Sequence, residues 1–261
     1  MEKKRLDIIM VEQNLASSRE RAKALIMAGE VTVSGKTVTK AGEMVLPDSE
    51  ILVKETCPYV SRGGWKLEKA MACFPIQLSG KVCADIGAST GGFTDCMLQN
   101  GARMVYAVDV GYGQLDWKLR NDPRVVVMER TNARFMKENT FSAEVPEFAS
   151  VDVSFISLKL ILPAMRRAGI REAVTLIKPQ FEAGREKVGK KGVVRDPAVH
   201  EDVISNVLSY AEAESFGLNG LTFSPIKGPN GNIEYLAHFK KDVPSCEVSI
   251  PSVVQEAFSS L

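Results

Sequence analysis

The residues best suited to chemistry lie in Val82-Cys83-Ala84-Asp85-Ile86-Gly87-Ala88-Ser89-Thr90-Gly91-Gly92-Phe93-Thr94-Asp95. A short apolar run ends at Asp85, glycines follow at once, and a helical segment from Thr94 to Asn100 comes next. A parallel strand that turns into a helix this way passes its backbone close to a ligand and offers free N–H groups at the helix start. Ser89 stands where the dinucleotide fingerprint G-x-G-x-x-G needs its second glycine. The next apolar run, Met104 to Val108, ends in Asp109, an acid placed to accept from a ribose hydroxyl. The stretch therefore points to a nucleoside ligand and away from a pyrophosphate.

Four more charged residues fall at the rim where such a ligand sits, off the carboxyl ends of the strands. Asp152 lies near the end of the run Phe148 to Val153, Lys178 follows the run Ala173 to Ile177, and Glu234 lies in the run Ile233 to Phe239. Lys66 follows Gly63-Gly64 at the start of a helix that runs to about Phe74. Each alone has an ordinary reading: a helix cap, a snorkelling strand end, a hairpin surface residue, a solvent-facing lysine.

The elements that must carry these residues alternate strand and helix. Val125 to Met128 is a third buried strand, followed by Glu129-Arg130-Thr131-Asn132. Leu158 to Ala168 and a segment capped by Asp196-Pro197 are helices, the latter with the stripe Val199, Val203, Val207, Tyr210 and Ala211. Leu218 to Phe223 and Ile233 to Phe239 read as an antiparallel pair. An α/β fold with a mainly parallel sheet is expected over residues 61–261, after a linker at 56–60 containing Pro58. Residues 184–195 hold five basic residues against one acid, among them Arg185, Lys187, Lys190 and Lys191. With three glycines, this reads as a lid over a polyanion.

Residues 1–55 form a separate small α+β module. Leu6, Ile9, Met10 and Leu15 fall on one helical face, and Ser17 with Glu20 reads as a capping box for a second helix carrying Ala22, Leu25 and Ile26. Short strands follow around Val31-Thr32-Val33, Thr37-Val38, Val45-Leu46 and Ile51-Leu52-Val53. Residues 1–53 balance eight Lys/Arg against eight Asp/Glu, so any basic face depends on clustering: Lys3-Lys4-Arg5 with Arg19, Arg21 and Lys23.

The bulk numbers exclude other classes. The chain has 261 residues, 45% of them hydrophobic, and a formal net charge of +1, so no global field announces a nucleic-acid partner. Five cysteines without a C-x-x-C pair and only two histidines argue against zinc and against a disulfide framework. Met1-Glu2-Lys3-Lys4-Arg5 leads into an amphipathic segment and not a signal sequence, and no apolar run approaches the ~20 residues of a membrane span. A cytoplasmic protein is expected.

The pattern Asp85-x-Gly87-x-x-x-Gly91-Gly92-Phe93 resembles the S-adenosylmethionine loop of class I methyltransferases in its FtsJ-like form. Arg5-Leu6-Asp7, Ser17-Ser18-Arg19, Gly29 and Gly35-Lys36 make the first module similar to an S4 RNA-binding domain. Ser61-Arg62-Gly63-Gly64-Trp65-Lys66-Leu67 resembles the start of the catalytic domain in the TlyA (haemolysin A) family, and Lys66, Asp152, Lys178 and Glu234 resemble, in chain order, the Lys-Asp-Lys-Glu tetrad of FtsJ-like ribose 2′-O-methyltransferases. The resemblance spans almost the whole chain and implies a class I, Rossmann-like fold. It implies an enzyme that methylates ribose, of cytidine, in RNA of the small ribosomal subunit, the large one, or both. Cofactor contacts are then expected from Asp85, Gly87, Ser89, Gly91, Gly92 and Phe93, with Asp109 on the ribose and Asn132 near the adenine. RNA contacts are expected from the basic residues named above and from Arg62. Lys178 is expected to take the hydroxyl proton. A free lysine, with a pKa of ~10.4, is a poor base, but burial and the nearby Lys66 ammonium would lower it while Asp152 and Glu234 oppose the drop. The rival readings are an RNA-binding assembly factor with a vestigial cofactor fold, a membrane-lysing protein and an NAD-dependent enzyme. The intact loop and rim, the lack of a spanning pattern, and Ser89 with no hydride-transfer residue disfavour them in turn.

Overall fold

A computed structural model describes residues 3–16, 18–53 and 57–261. The chain divides into two compact units, Met1–Thr56 and Cys57–Leu261.

In the first unit, β1 (Lys4–Arg5) leads into α1 (Leu6–Glu12), followed by α2 (Arg19–Met27), β2 (Val31–Val33), β3 (Lys36–Val38), β4 (Met44–Val45) and β5 (Ile51–Val53). β3, β2 and β5 form one antiparallel sheet, and β1 pairs with β4. The amphipathic period of α1 and α2 buries Leu6, Ile9, Met10, Ala22, Leu25 and Ile26 against Val31, Val45 and Ile51, while Leu15 packs from just beyond α1. The cap of α2 is Ser18, whose hydroxyl accepts from Arg21 N at 3.1 Å. The third residue after it is an arginine, so the expected reciprocal box is replaced by a single cap; Ser17 lies outside the described residues.

The second unit contains α3 (Gly64–Cys73), β6 (Val82–Ile86), α4 (Gly92–Gln99), β7 (Met104–Val108), α5 (Trp117–Arg120), β8 (Val125–Met128), β9 (Phe148–Val151), α6 (Leu158–Arg167), β10 (Glu172–Ile177), α7 (Pro179–Glu182), α8 (Pro197–Ala213), β11 (Phe216–Phe223), β12 (Tyr235–Lys241) and α9 (Ile250–Ser260). The strand order is β11-β12-β10-β9-β6-β7-β8; β12 runs antiparallel to both neighbours and the other pairs are parallel. Alternation along the strands fills both faces. Val82, Ala84, Ile86, Tyr106, Val108, Ala173 and Ile177 face one core, and Cys83, Val105, Ala107, Val174 and Leu176 the other. The carboxyl ends of β6, β7, β9 and β10 therefore meet at one rim.

Residues 57–60, expected in the connector, hydrogen-bond into this unit: Val60 N donates to Asp95 at 2.9 Å and the Tyr59 hydroxyl to Glu68 at 2.9 Å. Helix α9 has no counterpart in the strand–helix reading above. Ser249 caps it, and Val254 and Ala257 are buried.

His200 on α8 is fully buried and ties this region together. Its Nε2 donates to the Val194 carbonyl at 3.0 Å and its Nδ1 accepts from the Tyr235 hydroxyl at 2.8 Å. Burial lowers its pKa from the usual 6.5. The unfolded chain thus takes up this proton first, and stability falls as the pH drops below about 6.5. The loss of melting temperature between pH 7.5 and 5.5 is expected to be smaller in His200→Gln than in the wild type.

Candidate active site

Two cavities open at the rim. The first, of about 700 Å³, is lined by Gly87, Ser89, Val108, Asp109, Val110, Asn132, Ile156, Leu160 and Ile161 among others. The second, of about 580 Å³, is lined by Arg62, Lys66, Asp85, Gly92, Phe93, Lys178, Gln180, Phe181 and Glu234 among others. They share Gly87, Ser89, Asp152, Ser154 and Phe155, so they meet where β6 and β9 end.

The glycine loop is held by its own acids. Asp85 is buried and accepts from Thr94 N at 2.8 Å, Thr94 Oγ1 at 2.7 Å and Ser150 Oγ at 3.1 Å, which fastens β6 to the start of α4 and to β9. Burial pushes its carboxyl up to about 6 against those hydrogen bonds. Gly91 lines neither cavity. Its part is conformational: φ is 95° at the cap of α4, and a Cβ there would strike Leu115 and Leu119. Asp109 accepts from Ser89 N at 2.8 Å and Gly111 N at 2.7 Å, one bond on each oxygen, and keeps lone pairs for hydroxyls. Asn132 caps the next turn through Arg134 N at 3.0 Å.

The four rim charges come together. Lys66 Nζ lies 2.7 Å from Glu234 Oε2 and 3.5 Å from Asp152 Oδ2, while Lys178 Nζ pairs with Asp152 Oδ1 and donates to Ser154 Oγ at 3.1 Å. Asp152 thus bridges two amines brought in by α3 and by the end of β10. Glu234 is fully buried, and Gly228 packs against its carboxylate where any Cβ would collide. Burial alone would lower the Lys66 pKa, but Asp152 and Glu234 outweigh it and raise the value, so Lys66 stays an ammonium. Burial likewise works to raise Asp152, and the two lysines win by holding it below the usual carboxylate range. The group can hold one fixed cation beside a second amine with little net charge.

Sequence reasoning passed over several residues here. Gln180 donates to Glu234 Oε1 at 3.2 Å. Phe155 is 90% exposed, with φ at 61°, and its ring sits 4.9 Å from that of Phe181. Glu182 accepts from Ser157 Oγ at 2.6 Å and Leu158 N at 2.8 Å, which locks the start of α6 to α7. In the first unit, Asp7 is fully buried and accepts from both Arg5 (2.9 and 3.0 Å) and Arg19 (3.1 Å). Those guanidiniums, Arg5 foremost, hold its carboxyl down at about 2. Lys4 pairs with Glu12, whereas Lys3 and Arg21 are exposed and Lys23 is half-buried. Arg62, Arg185, Lys187, Lys190 and Lys191 are exposed, with Lys187 paired to Asp202 at 3.2 Å. Asn232 ties their loop down through Gly192 O at 2.9 Å.

The family model of FtsJ-like methyltransferases matches residues 59–241, and that of the S4 domain matches residues 4–51. A Bacillus subtilis protein named "Putative rRNA methyltransferase YqxC" is 52% identical over 99% of this chain and 95% of its own length. A Mycobacterium tuberculosis protein named 16S/23S rRNA (cytidine-2′-O)-methyltransferase TlyA is 44% identical over 88% of this chain and 87% of its own. The chain belongs to the TlyA (haemolysin A) family of FtsJ-like methyltransferases. A solved structure from Streptococcus thermophilus, named "Putative hemolysin", covers 100% of this TlyA-family chain and 97% of its own at 49% identity, with a TM-score of 0.79. Among the described residues, no helix is long and apolar enough to cross a membrane, and no group of three or more His, Cys, Asp or Glu could hold a metal ion.

Proposed function

We propose that this TlyA-family enzyme transfers a methyl group from S-adenosylmethionine to a ribose 2′-hydroxyl, that of a cytidine in ribosomal RNA of the small or large subunit, in the cytoplasm. The observation that carries the reading is the ion-paired set Lys66–Glu234 and Lys178–Asp152 at the junction of two cavities. The cytidine and the ribosomal RNA rest on the activity in the name of the mycobacterial relative.

The first cavity fits an adenosine moiety. Val110, Ile156, Leu160 and Ile161 offer apolar walls, Asn132 a polar edge and Asp109 an acceptor for ribose hydroxyls. Gly87, Ser89, Gly92 and Phe93 carry the backbone past the junction, where the methionine end would lie. S-adenosylmethionine supplies an electrophilic methyl group when bound. The second cavity then holds the acceptor nucleotide. Lys178 Nζ takes the 2′-hydroxyl proton, with Asp152 and Ser154 fixing the direction of its lone pair. The Lys66 ammonium, kept charged by Glu234 and Asp152, holds the ribose oxygen or its phosphate. Basic residues of both units grip the RNA backbone, and these contacts give placement more than base reading.

Phe155 presents an open aromatic face at the mouth, backed by Phe181, on which a base can stack. Such stacking is worth about 1–3 kcal/mol. Phe155→Ala is therefore expected to raise the KM for RNA about tenfold or more, with the Kd for S-adenosylmethionine changed much less. Initial rates against RNA concentration and calorimetric titration check the two halves of that statement. The reading as a whole is tested by methyl transfer from labelled S-adenosylmethionine to unmodified ribosomal subunits.

A further inference from the structure

Asp7 lies in the first turn of α1, fully buried, with an arginine from each of two other elements on its carboxylate. Arg5 belongs to β1, and Arg19 opens α2. Arg5 donates from Nε to Oδ1 at 2.9 Å and from Nη2 to Oδ2 at 3.0 Å, while Arg19 donates from Nη2 to the same Oδ2 at 3.1 Å. The two heads are therefore neighbours on one oxygen. Gly42 packs beside Arg5, where a Cβ would come within 3.3 Å of Nη1. A buried ionic group of this kind adds little net stability, because desolvation offsets its attraction. What it does secure is the placement of two long side chains. A guanidinium carries five N–H donors. Asp7 engages two of Arg5 and one of Arg19, and among the described residues neither arginine bonds another acceptor. Both side chains are nearly half exposed, at 42% and 49%. Two guanidiniums against one carboxylate leave one positive charge facing solvent.

We propose that Asp7 is a positioning residue that sets Arg5 and Arg19 as a two-armed clamp for one backbone phosphate of the RNA. This deepens the RNA-binding reading above and rests on it. A phosphate diester presents one negative charge and two unbridged oxygens, which adjacent guanidiniums meet with charge-assisted hydrogen bonds. The clamp is set before the RNA arrives. It avoids ordering two rotamer-rich side chains on binding, each of which otherwise weakens affinity by roughly 2- to 10-fold. The assignment has a sign that charge alone does not give. Asp7 carries a negative charge beside the RNA, so on net charge its removal should tighten binding. If Asp7 positions the arginines, its removal weakens binding instead.

The test uses the full-length protein and unmodified small and large ribosomal subunits. Dissociation constants are measured between about 50 and 200 mM salt for wild type, Asp7→Asn and Arg5→Lys, each checked by thermal melting. Asp7→Asn is expected to bind about 10-fold or more weakly despite its added positive charge, with the salt slope lower by about 1. Arg5→Lys keeps the charge and a cation beside Asp7, so it holds the test should Asp7→Asn fail to fold. It is expected to bind about 10-fold more weakly, because an ammonium has no fork to span carboxylate and phosphate. At saturating subunits, single-turnover methyl transfer by both variants should stay within about threefold of wild type, since the loss is one of binding. Tighter or unchanged binding by folded Asp7→Asn, or unchanged binding by Arg5→Lys, would overturn the assignment. A wild type that binds subunits but transfers no methyl group would overturn the enzymatic reading beneath it, an outcome distinct from either binding result.

Discussion

Lys178→Ala is expected to lower the rate of methyl transfer by about 10³-fold while S-adenosylmethionine binds within a few-fold of wild type, the size of effect that loss of a positioned base produces. Lys178 Nζ contacts Asp152 and Ser154, and the first cavity is walled mainly by other residues. The substitution should therefore strike the acceptor side alone. Lys178→Arg sharpens the point. A guanidinium keeps positive charge and can still pair with Asp152, but it does not surrender its proton in the working pH range. If Lys178 serves as base, arginine should rescue almost none of the activity. If it serves only as a cation, arginine should restore much of it. Single-turnover rates, with calorimetry for S-adenosylmethionine, separate the cases.

Asp152→Asn is expected to have the second largest effect, about 10²-fold in rate with a clear loss of stability. This carboxylate touches both lysines, and its amide replacement removes the one charge that bridges the two amines. Removing one partner from a buried ionic group costs about 3–5 kcal/mol. For a domain of this size, that corresponds to a fall of roughly 6–20 °C in melting temperature. The direction of the pH response follows from Lys66. Its pKa is raised because Asp152 and Glu234 together overcome burial, and with Asp152 neutral the balance shifts back toward burial. The variant should then lose Lys66 charge, and activity with it, at a lower pH than wild type. Rates measured between pH 6 and 10, beside thermal melts, give both readings. A variant as active and as stable as wild type would show that the bridge has no mechanistic role.

Much of this site was legible because parallel strands write their ends plainly. Asp85, Asp109, Asp152 and Lys178 each follow a mainly apolar run, broken only by Ser150 and Thr175, and a sheet buried on both faces puts such residues at one rim. The pairing among them was not legible. That Asp152 bridges two lysines, while Glu234 takes one lysine and Gln180, depends on loop paths with no period of their own. Gln180 and Phe155 carry no pattern either: one is a polar residue inside a short helix, the other an aromatic held at positive φ on a loop. In the first unit, the charges of Arg5 and Arg19 were visible, but not their convergence on a buried Asp7, since burial of a carboxylate in a first helical turn cannot be told from an exposed one by spacing. Ser17 and Ser18 are both good caps, and the choice between them is made by where Ala22, Leu25 and Ile26 must face. Helix α9 is short, and Val254 and Ala257, the residues it buries, make too brief a stripe to announce a helix.

The account rests most directly on where a transferred methyl group ends up. Unmodified ribosomal subunits incubated with this protein and S-adenosylmethionine labelled in its methyl group, then digested to nucleosides, are predicted to carry the label in 2′-O-methylcytidine and nowhere else. The same incubation with Lys178→Ala should yield none. Label on a base, or no label from a protein that binds S-adenosylmethionine normally, would contradict the assignment of the Lys66, Asp152, Lys178 and Glu234 group to ribose methylation.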